Sequence, residues 1–232
     1  MRRSLALVTL FLLAGADRPV SAAGFDLRVG GFFPRANGSL FQDDRSLYFV
    51  DPSKDFRGVY GGLEVSLKLA ENLELGFSLD GYGRGVDTSY RDYERDNGDE
   101  IFQRLELGIV PLGVSLRFVP TSRRAKVAPY LAVGGDLVFW RYREFGDFVD
   151  FGDPDLGVVS DAFEARGVQG GLHGAVGIRV ALSRDFSLVG EGRYLWAPLE
   201  TMGDDFAPSE PGLVNEIDLS GFSVTIGVHI RF

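Results

Sequence analysis

From Phe222 to Phe232 the chain alternates without a break: Phe222, Val224, Ile226, Val228, Ile230 and Phe232 are apolar, and polar or small residues stand between them. Side chains in a strand point alternately to opposite faces, so this segment is greasy on one side and wet on the other. Its length suits the roughly 9–11 residues that a tilted strand needs to cross a bilayer. The same period of two, bounded by Gly, Pro, Asn and Asp, recurs over 25–33, 59–69, 73–84, 102–119, 130–142, 168–182 and 186–196, and with 219–232 it predicts eight strands. Each has one apolar face, such as Leu63, Val65, Leu67 and Leu69, or Leu172, Val176, Ile178, Val180 and Leu182. Glu64, Ser66 and Lys68 lie opposite the first set, and Gln169, His173 and Arg179 opposite the second.

Connections alternate as well. Residues 70–72 and 183–185 are tight turns and 120–129 is modest, whereas the crossings between them are long. Short turns on one side and long loops on the other predict an all-β, eight-stranded antiparallel up-and-down transmembrane barrel, with both termini on the short-turn, periplasmic side. Aromatics agree with two interfaces. Phe25, Phe118, Phe186 and Phe232 fall at one end of the outward face, and Phe33, Phe139, Tyr194, Trp196 and Phe222 at the other. In the fourth strand the apolar parity runs Leu105, Leu107, Ile109 and resumes as Val114, Leu116, Phe118. That offset predicts a β-bulge across 110–113, where Pro111 lacks a ladder donor.

Arg2 and Arg3 precede an apolar run over 5–14, and Val20-Ser21-Ala22 follows, so residues 1–22 are expected to be a secretory signal peptide and 23–232 the barrel domain with four long extracellular loops. The chain has no Cys, which excludes disulfides, a thiol nucleophile and a lipid-modified cysteine anchor. Its 24 Lys and Arg stand against 33 Asp and Glu, a net charge of -9, which argues against nucleic acid as a partner. No stretch after residue 22 is long and apolar enough for a membrane helix, so a membrane location requires a closed barrel.

With these residues in hand, the chain resembles the small eight-stranded outer-membrane barrels of Gram-negative bacteria, the class that includes the outer membrane protein A transmembrane domain and the X-type and W-type barrels. The terminal Phe232 with apolar residues at alternate positions before it is similar to the signal this family presents to its barrel-assembly machinery. The resemblance implies an outer-membrane location among lipid and lipopolysaccharide. Strand one begins at Phe25 and the last strand closes the chain, so no periplasmic domain is expected.

Parity assigns Asp26, Glu64, Glu74, Asp80, Glu106, Asp136 and Glu191 to the lumen, with Arg28, Lys68, Arg84, Arg104, Arg117, Arg179, Arg193 and Arg231. This near balance predicts an ion-paired core, and leaves the acidic excess in the long loops. His173 and His229 also face inward, where they are expected to be satisfied core polar groups. A Ser or Asp within hydrogen-bond reach of His173 would reopen an enzymatic reading. The loop over 146–157 clusters Asp147, Asp150, Asp153 and Asp155, hard oxygen ligands suited to loosely held Ca²⁺ or Mg²⁺ bridging to lipopolysaccharide phosphates; otherwise no cofactor is expected. The chain is therefore expected to be non-enzymatic, with a structural or interaction role carried by its acidic loops. A carrier or narrow channel for small hydrophobic molecules is the alternative, and a lipid A-modifying enzyme the third.

Overall fold

A computed structural model of the chain describes residues 22–121, 125–152, 155–197, 199–202, 206 and 215–232; the expected leader, 1–22, lies outside them except for Ala22. The barrel strands are β1 (Ala22–Pro34), β2 (Gly58–Ala70), β3 (Leu73–Glu94), β4 (Glu100–Phe118), β5 (Val127–Val149), β6 (Val158–Ala181), β7 (Phe186–Trp196) and β10 (Gly221–Arg231). Each pairs antiparallel with its neighbour, and β10 closes the ring against β1. Asp26 sits opposite His229 on one side and Glu64 on the other. Closure leaves no unpaired sheet edge along the apolar band, the condition for a β-structure to stand in hydrocarbon. The start of β1 at Ala22, the end of β10 at Arg231 and the short turns share one end, and the long connections share the other.

The outward face carries an exposed apolar band. In β4 it comprises Val110, Leu112, Val114, Leu116 and Phe118, and in β5 Leu131, Val133, Leu137 and Phe139. The expected aromatics rim it: Phe118, Phe186 and Phe232 at the turn end are exposed, as are Phe33, Phe139, Tyr194, Trp196 and Phe222 at the loop end.

Strand β4 corrects the predicted bulge. It runs straight through Pro111, which pairs in register with Val138, and its alternation is unbroken from Ile101 to Phe118. Leu105, Leu107 and Ile109 are buried inside the barrel, not facing out. What changes at Val110 is the surroundings rather than the frame. Below it the outward face meets lipid and the inward face is polar; above it Glu106 and Arg104 face outward and the lumen is apolar. A strand leaving the bilayer exchanges the chemistry of its faces while its pleat continues.

Strands β3, β4, β5 and β6 extend well past the band, so much of the expected loop length is sheet. β3 and β4 form the expected ribbon, turned at 95–99 with Gly98 at φ +80°, a backbone conformation that glycine adopts without strain. The connection from β1 to β2 folds into helices α1 (Ser39–Leu47) and α2 (Pro52–Asp55). In α1, Leu40, Phe41 and Asp44 share the buried face, at the spacing that stacks side chains on one side of a helix. Asp51 caps α2, its carboxylate accepting from Ser53 N at 3.2 Å, with Pro52 starting the helix. Strands β8 (Glu200–Thr201) and β9 (Glu216–Ile217) pair above β7 and β10.

Candidate functional site

The lumen is built in two layers. Near the termini, Arg117 reaches Glu64 at 2.6 Å, Asp26 at 3.4 Å and Glu74 at 3.6 Å, with its guanidinium over the Tyr130 ring. Arg28 reaches Glu191 at 2.6 Å and Asp80 at 3.3 Å; Arg179 reaches Glu74 at 2.9 Å; Arg193 reaches Asp80 at 2.9 Å and Asp136 at 2.5 Å. Each arginine spans strands far apart in sequence, so the network ties the barrel across its interior. Isolated buried charges would be too costly to keep, and bridging pays for their desolvation.

The charge partition needs correction at three positions. Arg104 and Glu106 pair with each other at 3.1 Å on the outer surface, where Arg104 also reaches Asp87 at 2.8 Å. Arg84 is exposed and donates from Nε to the carbonyl oxygen of Asp55, the last residue of α2. Lys68 and Arg231 are half-buried at the turn end.

His229 Nδ1 lies 2.7 Å from Asp26, and His173 Nδ1 lies 2.6 Å from Asp136 and 3.0 Å from an Arg193 nitrogen. An Asp is thus within reach of His173, the arrangement that reopens the enzymatic reading. The far edge of the ring answers it: a Cβ built on Gly134 would sit 2.5 Å from His173 Cε1 and 2.7 Å from Nε2. His229 abuts Gly24 in the same way, with Cε1 nearest and Nε2 beside it. The ring edge that would have to serve a nucleophile is packed against backbone.

Above the charges the lumen turns aromatic and aliphatic. Phe32, Tyr60, Tyr82, Val138 and Trp140 form one tier, and Phe41 and Phe56 from the first connection pack against Tyr142 in the next. Tyr82 donates its hydroxyl to the Phe56 carbonyl, fixing the connection to the wall. The helix pair is thereby a plug.

Between this plug and the strand extensions lies a cavity of about 330 Å³, lined by Leu40, Tyr48, Tyr90, Phe148, Phe163 and Phe206, together with Asp43, Asp44 and Glu144. Asp44 from α1 is 2 % exposed and accepts a 2.9 Å hydrogen bond from the Tyr142 hydroxyl; Glu144 from β5 is 7 % exposed and faces the hydroxyls of Tyr142 and Tyr48. Glu144 stands beyond the apolar band, where Arg141 projects outward. Among the described residues no Arg, Lys or His forms an ion pair with either carboxylate. Burial raises the Glu144 carboxyl to about 7, and burial together with the charge of Glu144 raises Asp44 well above the usual carboxylate range. The two titrate as a linked pair that holds a proton near neutrality.

Neither residue was legible as a candidate in the sequence. Asp44 lies in a segment read as loop, and the fifth strand was expected to end at Tyr142. The continuing inward parity Asp136, Val138, Trp140, Tyr142, Glu144 is the signal that reaches the second.

Of the candidate aspartates of 146–157, the described ones have partners of their own. Asp147 pairs with Arg95 and accepts from Ser160, and Asp150 accepts from Gly152 N at 2.9 Å. Asp153 lies outside the described residues, and among those described no three His, Cys, Asp or Glu are grouped to hold a metal.

No protein-family model and no curated protein matches the chain. Solved structures do. The outer membrane protein OprG from Pseudomonas aeruginosa aligns over 92 % of this chain and 97 % of its own at 14 % identity, with a TM-score of 0.55. A major outer membrane protein from Thermus thermophilus aligns over 91 % of this chain and 100 % of its own at 16 % identity, with a TM-score of 0.50. At such identities the likeness is one of fold, and the fold is the small eight-stranded barrel that the residues predict.

Proposed function

We propose that the chain is an integral outer-membrane barrel that is sealed and non-catalytic, and that acts by binding at its extracellular end. One observation carries this reading: the lumen holds four buried arginines bridged to six carboxylates, and above them an aromatic plug anchored by Phe41 and Phe56. A barrel of eight strands has an interior that side chains just fill, so this filling leaves no aqueous path. The His–Asp pairs, whose outer ring edges meet Gly134 and Gly24, serve as bridges within the seal. Outward lipid contact along the apolar band, with periplasmic termini and insertion through the strand that ends at Phe232, completes the reading.

A second reading, a carrier of small hydrophobic molecules, is favoured by the aromatic cavity at the loop end. The two readings separate on conductance. Purified barrel in a planar bilayer is expected to leave the membrane quiet in molar salt; steady ohmic steps like those of a porin would overturn the seal. Passage of a hydrophobic probe across vesicles, under conditions in which ions do not pass, would favour the carrier.

A further inference from the structure

Two buried carboxylates facing each other are the least expected chemistry in the cavity. Elsewhere in the lumen every buried acid described above meets an arginine or a histidine, whereas Asp44 and Glu144 meet tyrosine hydroxyls. A hydroxyl relieves part of the desolvation of a carboxylate, but it supplies no countercharge. The walls around the pair are largely aromatic: Tyr48 and Tyr90 pack edge to face at 5.0 Å, and Phe148 and Phe163 do the same at 5.0 Å. Ring faces and paired carboxylates together are complementary to positive charge spread over carbon.

We propose that this cavity is a binding site for a small organic ammonium ion, its charge held by Asp44 and Glu144 and its alkyl groups packed against Tyr48, Tyr90, Phe148 and Phe163. A bare divalent ion fits less well. Calcium takes 6–8 oxygens, and the described carboxylates here do not group as a metal site. The volume of about 330 Å³ lies at the lower end of the range for small-molecule pockets.

Binding exchanges a proton for a cation. The groups facing the site are Asp43 and Asp44 from α1, Tyr48 just after it, Tyr90 from β3, and Tyr142 and Glu144 from β5. The tyrosines stay neutral, with burial raising Tyr48 and Tyr90 further, so the carboxyl pair supplies the proton that leaves. Affinity for an ammonium ion therefore falls on acidification. With Glu144 at about 7, the ionised fraction changes between pH 8 and pH 6 enough to weaken binding about tenfold.

The proposal rests on the reading of the loop end as a binding surface, and the two fail separately: a conducting barrel leaves the binding isotherm untouched, and absent binding leaves the seal untouched. The test is calorimetric titration of benzyltrimethylammonium into the folded barrel in a nonionic detergent at pH 8 and pH 6, with benzyl alcohol and Ca²⁺ as comparators. Expected is saturable 1:1 binding at pH 8, about tenfold weaker at pH 6, at least tenfold weaker in Glu144→Gln and in Asp44→Asn, and stronger than for the neutral alcohol. Heat-modifiable gel mobility identifies variants that remain folded, and the two single changes give independent chances of a folded one. No saturable binding at pH 8, binding undiminished in the folded variants, or saturable binding of Ca²⁺ alone would each overturn the proposal.

Discussion

Replacing Arg117 by methionine is expected to destabilise the barrel by about 3–5 kcal/mol, the cost of removing one partner from a buried charge network. Arg117 is 1 % exposed, and its guanidinium reaches Glu64, Asp26 and Glu74 while lying over Tyr130. Methionine fills much of the same volume, so the loss is one of charge more than of packing. The carboxylates left behind keep other partners, Glu64 with Arg28 at 3.5 Å, Asp26 with Arg179 at 3.4 Å and Glu74 with Arg179 at 2.9 Å, but Arg28 is shared with Glu191 and Asp80 and one Arg179 then serves two acids. Urea-unfolding midpoints in vesicles measure the effect. The double variant Arg117→Met with Glu64→Gln is expected to cost less than the two single changes together, because one orphaned charge goes with its partner. A single-variant loss under about 1 kcal/mol would show that the network contributes little to stability.

Replacing Phe41 by alanine acts at the other layer. Phe41 is 0 % exposed and packs 5.9 Å from the Phe56 ring and 6.3 Å from that of Tyr142, so its loss leaves a hole under α1 costing about 3–5 kcal/mol. The hydrogen-bonded barrel wall does not depend on this ring, and the cost therefore falls on docking of the plug. Undocked plug is expected to rise by about two to four powers of ten. Arg45, Lys54 and Arg57 on the same connection are exposed, so trypsin reads the undocked fraction directly. Cleavage there is expected to accelerate by at least about a hundredfold while gel mobility of the barrel stays folded. Phe49→Ala, at a 60 % exposed ring on the outside of the same connection, is the control and should change little. Equal cleavage in Phe41→Ala and the parent would mean that the helices do not plug the lumen.

The barrel was legible because its wall obeys one rule in every strand: lipid on one face, water or charge on the other. Leu63, Val65 and Leu67 needed no tertiary context to be placed outside, nor did Arg28 and Glu64 to be placed inside. The rule stops at the membrane surface, and the reading failed there. Leu105, Leu107 and Ile109 are apolar because they meet the plug, not because they meet lipid. Seen by polarity alone, an exchange of environment between the faces is indistinguishable from a one-residue slip in register. Pro111 invited the bulge; yet it points inward in the same parity as Ile109 and Gly113 and simply forgoes a hydrogen bond. The plug was hidden for a different reason. Leu40, Phe41, Asp44 and Leu47 carry a helical spacing over barely two turns, too short to stand out inside a long connection. Asp44 and Glu144 then met only in three dimensions, from elements roughly a hundred residues apart in sequence.

Strand β5 crosses the bilayer edge with its pleat unbroken, lipid outside and a packed lumen inside. The chain's two tryptophans test it: Trp196 is 48 % exposed on the apolar band, while Trp140, next to the outward Phe139, is 5 % exposed and turned inward. Reconstituted in vesicles with brominated acyl chains, Trp140→Phe, which keeps Trp196, is expected to lose most of its fluorescence, and Trp196→Phe, which keeps Trp140, to retain most of its own. Equal quenching of the two, or stronger quenching of Trp140, would contradict the assignment of inside and outside on which the sealed barrel depends.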